Sequence, residues 1–136
     1  MITLNTSRFG TLEAQEDKII NFPEGLVGLP DLKRFIIVDH KDTPLKWLQS
    51  VDDPDMAFIV SPPDVVSIDF SIELDRTVRE FIRLENDNDL VVLVIIRVSG
   101  GDVIANSQGP LLVNVRNMRG VQIILDTPRR ARLKTG

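Results

Sequence analysis

Apolar and polar residues alternate one for one along much of this chain, which is the spacing of a half-buried β-strand. In the stretch IDFSIEL, residues 68–74, apolar side chains fall at every second position and acidic or hydroxyl side chains fall between them. Shorter runs of strand-like composition recur at residues 2–6, 10–14, 17–22, 34–40, 46–51 and 56–61. No strand–helix–strand alternation is visible, so we expect antiparallel rather than parallel pairing.

Two segments depart from the alternation, and each indicates its own structure. Residues 90–98 are apolar almost throughout, so we expect a central strand with both faces covered. In residues 75–84, Val78 and Phe81 fall on one face at helical spacing, and Asp75 can cap the helix. The fold class is therefore mostly β, with a single antiparallel β-barrel or sandwich-like domain and one short helix.

The charge of the chain is distributed unevenly. Residues 1–113 contain 10 Lys or Arg against 19 Asp or Glu, whereas residues 114–136 contain 6 against 1. We expect one domain at 1–126, followed by a basic and flexible tail at 127–136. An acidic body repels phosphate backbones, which disfavours direct binding of nucleic acid. It suits a basic partner protein, or it is simply a solvated acidic surface.

The residue types that most catalytic and metal sites need are scarce. The chain has no Cys, and its single histidine, His40, lies where a predicted strand ends. Asp52, Asp53 and Asp55 could supply the carboxylates of a glycosidase, but their sequence DDPD is also typical of a turn. We therefore expect no catalytic residue, no cofactor and no metal. A small carboxylate-dependent glycoside hydrolase remains the alternative.

No segment of the chain resembles a membrane helix or a secretory signal. The longest apolar run, Leu90 to Ile96, has seven residues, whereas a spanning helix needs about 20. The N-terminus lacks a basic region followed by an apolar one. We expect a cytoplasmic protein that does not contact the membrane.

The stretch IANSQGPLLVN, residues 104–114, places two asparagines around a turn and an apolar run. Pro110 can open a strand there, since it lacks only a hydrogen-bond donor. Asn106 and Asn114 can bond backbone groups that the turn leaves unpaired. The apolar run should then pair with residues 121–125 in a hairpin whose loop contains a glycine. This pattern favours a fold-defining corner over a reactive site.

Three stretches in series resemble the FliW family of bacterial flagellar assembly factors. They are INFPEGLVGLPDLKRFIIVDH (20–40), PLKWLQSVDDPDMAFIV (44–60) and IANSQGPLLVNVRNMRGVQIILD (104–126). Their F-P-E-G-L turn, their W-L-Q-S-x-D-D-P run and their Ala-Asn, Pro and Asn positions occur in the family's order. Each motif alone is modest, but the series is specific and covers most of the chain.

The resemblance implies a protein-binding regulator and not an enzyme. Proteins of this family bind flagellin in the cytoplasm, and they also bind CsrA, an RNA-binding regulator of translation. CsrA held in this way no longer represses flagellin mRNA, and the antagonism is implied to be allosteric. Rising flagellin captures the FliW-type protein and releases CsrA, so the two partners exclude each other. We expect the free protein to be a monomer.

Polar residues within these motifs are the candidates for partner contacts. They are Asp52, Asp53, Asp55, Asn106, Ser107, Gln108 and Pro110. Phe22 and Trp47 in the same motifs are expected to serve the turn or the core. The polar face of residues 68–74 and an edge strand open to a partner strand are alternative surfaces.

Overall fold

The structure is a computed structural model that describes residues 1–66 and 74–125. The strands are β1 (Ile2–Thr6), β2 (Gly10–Ala14), β3 (Ile20–Asn21), β4 (Arg34–Asp39), β5 (Lys46–Ser50), β6 (Ala57–Ser61), β7 (Leu90–Ser99), β8 (Asp102–Ala105), β9 (Leu111–Asn114) and β10 (Arg119–Gln122). One α-helix, α1, covers Arg76–Phe81, and short 3-10 turns cover Glu16–Lys18, Pro63–Val66 and Asp87–Asp89. The alternating segment 68–74 and the tail 127–136 lie outside the described residues, apart from Leu74.

Seven strands close into a ring in the order β6-β5-β4-β3-β10-β9-β7, and pairing of β6 with β7 completes it. Strand β8 adds to β7 outside that ring, and β1 with β2 forms a separate hairpin. Every strand pair within residues 1–66 and 74–125 is antiparallel except β3 with β10, which meet in parallel through Asn21 and Arg119. The predicted mostly β barrel with one short helix is therefore confirmed, with one parallel contact that the sequence did not indicate.

Strand β4 is covered on both faces at Phe35 and Ile36, because these neighbouring side chains enter two different apolar clusters, whereas Ile37 is exposed. Phe35 belongs to the barrel interior, where its ring lies edge-on to Phe22 with centroids 5.6 Å apart. The next residue, Ile36, packs with Leu4 and Ile19 beneath the β1–β2 hairpin. The hairpin is thus attached to the barrel by apolar burial, which is the main stabilising term for such contacts.

Gly120 lies within β10, whereas the sequence placed a glycine in the preceding loop. That loop consists of residues 115–118, and Met118 adopts a positive φ of 59°. A Cβ on Gly120 would stand 2.9 Å from the Phe22 ring, so the position has room for glycine alone. Strand β10 accordingly starts at Arg119, two residues before the predicted 121–125 segment.

Helix α1 is shorter than the predicted 75–84 segment, although its start is as expected. The Asp75 side chain accepts a hydrogen bond from the Val78 amide at 2.8 Å. The helix ends because Arg83 adopts a positive φ of 55°, and the Asn114 side-chain amide binds the carbonyls of Ile82 and Arg83 at 3.0 Å each. Those carbonyls, which a longer helix would use internally, are satisfied from β9 instead.

Strand β7 is the central strand that its apolar sequence predicted, but its coverage is incomplete. Leu93 and Val94 are buried, whereas Val91 and Arg97 are exposed. At the C-terminal end the coverage fails because β7 continues beyond the ring to pair with β8, whereas Val91 is exposed within the ring, where β7 pairs with β9. The short strand β8 was not predicted, since four residues after Gly100 and Gly101 are too few to show a period.

Candidate partner-binding surface

The DDPD turn between β5 and β6 is organised around Asp52. Its carboxylate accepts hydrogen bonds from the Lys33 and Arg34 amides at 2.7 and 2.8 Å, and it pairs with the Arg34 guanidinium at 3.0 Å. Partial burial raises the pKa of Asp52, but these hydrogen bonds and the nearby cation outweigh burial and hold the pKa below its ordinary value of 3.8. Asp52 therefore fixes the start of β4 as a charged group.

The other two acidic residues of this turn also accept hydrogen bonds, Asp53 from within the turn and Asp55 from the turn between β1 and β2. The Asp53 carboxylate accepts from the Asp55 amide at 3.1 Å, and the Asp55 carboxylate accepts from the Ser7 hydroxyl. Beneath them the fully buried Gln49 donates to the carbonyls of Ser50, Pro54 and Met56. This pattern matches the turn interpretation of the DDPD sequence.

Residues 106–110 form a wide bulge opposite β7. Between the pairs Ile96–Ala105 and Leu93–Leu111, β7 contributes two residues and the facing chain contributes five. The backbone amide of Asn106 donates to the Ile95 carbonyl at 2.8 Å, and this hydrogen bond holds the bulge against β7. The predicted corner before β9 is therefore a bulge in a chain that stays alongside one strand.

The far side of the bulge is tied to the residues that follow β10. The amides of Ile123 and Leu125 donate to the carbonyls of Pro110 and Gln108 at 3.1 and 2.7 Å. The Gln122 side chain donates to the Gly109 carbonyl at 2.9 Å and accepts from the Val27 amide at 2.8 Å. Gln122 thus links this bulge to the loop after β3, a role that the sequence analysis missed.

The candidate residues differ in what they present to solvent. Pro110 is buried, Ser107 is half-buried, and Asn106 and Gln108 are exposed. Asn114 is buried and bonds backbone groups as predicted, whereas in the described residues Asn106 makes no side-chain hydrogen bond. Of the bulge, Asn106 and Gln108 are the side chains that a partner could reach directly.

Asp52 and the bulge residues line two different clefts. Asp52 lines a cleft of about 460 Å³ together with Pro23, Lys33 and Arg119. The bulge residues Asn106, Ser107 and Gln108 line another cleft of about 440 Å³ with Ile95, Arg97 and Ile104 of the β7–β8 hairpin. The sequence did not indicate the hairpin residues, because their apolar pattern is equally typical of a core strand.

His40 and Trp47 form an aromatic group with the turn between β1 and β2. The Arg8 guanidinium lies 4.4 Å from the Trp47 ring centroid, and Phe9 meets the same ring edge-on at 5.6 Å. The His40 ring lies 5.5 Å from it and bonds the Thr43 hydroxyl through Nδ1 at 2.9 Å. His40 follows β4 directly, as the strand-end interpretation predicted.

The geometry of residues 1–66 and 74–125 bears on metal binding and on membrane insertion. Within these ranges, three or more His, Asp or Glu side chains nowhere converge as a metal site would require. In the same part of the chain, no helix is both long and apolar enough to cross a membrane.

The fold is that of a small closed β-barrel with one strand added outside the ring. Acidic and amide side chains hold the loops of this class of barrel in place. A crystal structure of the flagellar assembly factor FliW shares this fold, with a TM-score of 0.85, 31% identity, and coverage of 93% of this chain and 90% of that one. The profile of the FliW protein family matches residues 3–135. This chain belongs to the FliW family.

Relatives agree with that assignment over nearly the whole chain. The flagellar assembly factor FliW of Caldanaerobacter subterraneus subsp. tengcongensis is 39% identical over 130 residues, which is 93% of this chain and 87% of the relative. The FliW protein of Alkaliphilus metalliredigens is 34% identical over 128 residues, 91% and 79% of the two chains. These relatives are named for assembly and not for a reaction. Membership of a family of named assembly factors agrees with the expectation of a protein that is not an enzyme, and it gives the glycoside hydrolase alternative no support.

Proposed function

We propose that this chain is a cytoplasmic flagellar assembly factor that binds flagellin and the RNA-binding regulator CsrA. The match of residues 3–135 to the FliW family carries the proposal, together with the shared fold of the FliW crystal structure. The assembly role follows from the relatives' names, and the two partners follow from the family motifs in the sequence.

The proposed mechanism is a switch between two partners that exclude each other. While the chain holds CsrA, flagellin mRNA is translated, because CsrA bound in this way is antagonised allosterically. When free flagellin accumulates, it captures the chain and releases CsrA, which lowers translation again. The excess of 19 acidic over 10 basic residues in positions 1–113 supports steering towards a basic RNA-binding protein.

The partner contacts are assigned to the two loops that carry the family motifs. In the bulge, Asn106 and Gln108 are exposed, and Pro110 and the Gln122 side chain hold the backbone that presents them. In the DDPD turn, Asp53 and Asp55 supply acidic groups at the surface, as Asp52 does beside them. Because the loops are fixed by backbone hydrogen bonds, little ordering entropy opposes binding at either loop.

The test measures binding of purified flagellin and purified CsrA from the same bacterium by calorimetry, first separately and then in competition. We expect each to bind at micromolar concentration or below, and flagellin to displace CsrA. Paired substitutions at Asn106 and Gln108 to alanine should weaken one partner about tenfold. Asp42→Asn, in the exposed turn after His40, serves as the control.

Each part of the proposal can fail separately. Absence of binding to both proteins would exclude the partner assignment. Simultaneous binding of both would exclude the switch while keeping the partners. Undiminished binding by the bulge variant, and by an Asp53→Asn, Asp55→Asn variant, would remove the two loops as contact surfaces.

A further inference from the structure

Within residues 1–66 and 74–125, the β7–β8 hairpin has a strand edge outside the closed ring that no other strand pairs. Strand β8 pairs with β7 along one edge, and among the described residues no strand pairs with its other edge. The two central side chains of β8 are apolar and exposed, Val103 at 59% and Ile104 at 40%. Natural edge strands are commonly protected by Lys or Pro, and β8 contains neither.

The cleft beside this edge combines apolar and basic character. Its floor is formed by Ile95, Arg97 and Ile104, and its wall by the bulge. Arg97 stands opposite Ile104 in the β7–β8 register and is exposed. No carboxylate of the described residues lies within ion-pair distance of Arg97. Asp102, paired with Ser99 at the hairpin tip, is the one acidic residue of the hairpin.

The chain that follows the cleft is basic as well. Leu125, the last described residue, donates its amide to the Gln108 carbonyl at the wall of the cleft. The sequence beyond it contains one acidic residue and four basic ones, namely Asp126, Arg129, Arg130, Arg132 and Lys134. In a protein of net charge −4, the exposed Arg97 guanidinium favours a negatively charged ligand in this cleft.

We propose that β8 and the cleft bind an extended acidic segment of a partner protein, which adds as a strand to the free edge of β8. The backbone of that segment pairs with β8, its apolar side chains cover Val103 on one face, and a carboxylate on the other face pairs with Arg97 beside Ile104. A second copy of this chain fits less well. A two-fold pairing of β8 with β8 would bring the two clefts together, and with them the like charges of two Arg97 side chains. The inference goes beyond the proposed function, since it assigns a surface and a ligand chemistry.

The first experiment titrates the isotopically labelled full chain with short synthetic peptides and follows amide shifts by NMR. The probe is an alternating valine–glutamate peptide. Its controls are the valine–lysine peptide and the glutamate peptide methylated on every backbone nitrogen. We expect the glutamate peptide to shift residues 102–105 and Arg97. Neither control should do so, because one reverses the charge and the other cannot pair as a strand.

The second experiment exchanges the charge in the cleft. Arg97→Glu should weaken binding of the glutamate peptide about tenfold and create binding of the lysine peptide. Arg116→Glu, on the exposed β9–β10 loop, adds the same charge elsewhere and should change neither affinity. Arg97→Gln is the second variant if the reversal disturbs the fold, and it should weaken the glutamate peptide without creating lysine binding.

Three results would overturn the proposal. One is the absence of glutamate-peptide shifts at residues 102–105. Another is equal weakening by Arg97→Glu and Arg116→Glu, which would indicate general charge attraction. The third is a concentration-dependent shift of residues 102–105 without peptide, accompanied by dimer formation, which would assign the edge to a second copy of the chain.

Discussion

At the scale of single residues, buried or half-buried polar side chains determine the shapes of the loops. Asp52 receives two backbone amides, Asn114 binds two carbonyls at the end of α1, and Gln122 joins two loops. Each replaces a backbone hydrogen bond that a regular element would have supplied. Substitutions at such positions should therefore affect stability more than substitutions at other polar residues.

The charge of Asp52 should make stability dependent on pH in the acid range. Its pKa is lowered in the folded state, so its contribution is complete well above pH 3.8 and is lost as the pH falls through and below that value. Asp52→Asn should therefore cost about 1 kcal/mol at neutral pH and much less at about pH 3. Urea unfolding at both pH values measures this difference.

Asp42→Asn provides the matched control for that measurement. Asp42 is exposed and accepts no hydrogen bond in the described part of the chain. Its replacement should leave stability unchanged at both pH values. An Asp52→Asn cost that stays the same at low pH would show that the carboxylate contributes through its shape and not through its charge.

A methyl group at position 120 should disturb the barrel core. Gly120→Ala places a carbon about 2.9 Å from Phe22, so we expect a loss of about 1–3 kcal/mol in unfolding free energy. In the Phe22→Leu background the same substitution should cost less, because the ring edge is absent. Additive effects in this double-mutant cycle would contradict the steric explanation.

At the scale of elements, sequence periodicity predicted those strands whose faces differ clearly in polarity. Strands β4, β5 and β6 lie within the predicted 34–40, 46–51 and 56–61 segments. Strand β8 was missed, and α1 was predicted too long. Its early end depends on Asn114, which is distant in sequence and contacts α1 only in the folded chain. Local patterns cannot contain such a contact.

The Asp75 cap should contribute measurably to stability, because a helix as short as α1 has few internal hydrogen bonds. Asp75→Ala removes the acceptor of the Val78 amide and should cost about 1 kcal/mol. Asp75→Ser, which can also cap, should retain most of that stability. Faster hydrogen exchange at Val78 in the alanine variant but not in the serine variant would locate the effect. Equal losses in both would assign Asp75 another role.

At the scale of the whole molecule, the barrel and the β1–β2 hairpin depend on one another. Ile36 packs with Leu4 and Ile19 of the hairpin region, while its neighbour Phe35 packs in the barrel. The candidate surface also depends on the whole fold. The sequence indicated its loops as candidates for partner contacts, but it did not indicate the β7–β8 cleft. That cleft forms where β7 extends beyond the closed ring, and this extension is defined only in the complete fold.

Trp47, the single tryptophan, can report whether the hairpin and the barrel unfold together. Arg8 and Phe9 of the hairpin turn contact its ring, whereas Trp47 itself belongs to β5. We expect tryptophan fluorescence and far-UV circular dichroism to change at the same urea concentration, because both clusters share β4. An earlier fluorescence transition would show that the hairpin detaches first. Arg8→Ala should alter the fluorescence signal but not the midpoint.

The position of β10 between β3 and β9 has a consequence for the order of events during protein synthesis. Without residues 119–122 the remaining strands are held as an open sheet through β6 and β7, and β3 and β9 present unpaired edges. The ring can therefore close only after residues 119–122 have left the ribosome. Until then the nascent protein exposes strand edges of the kind that chaperones shield from aggregation.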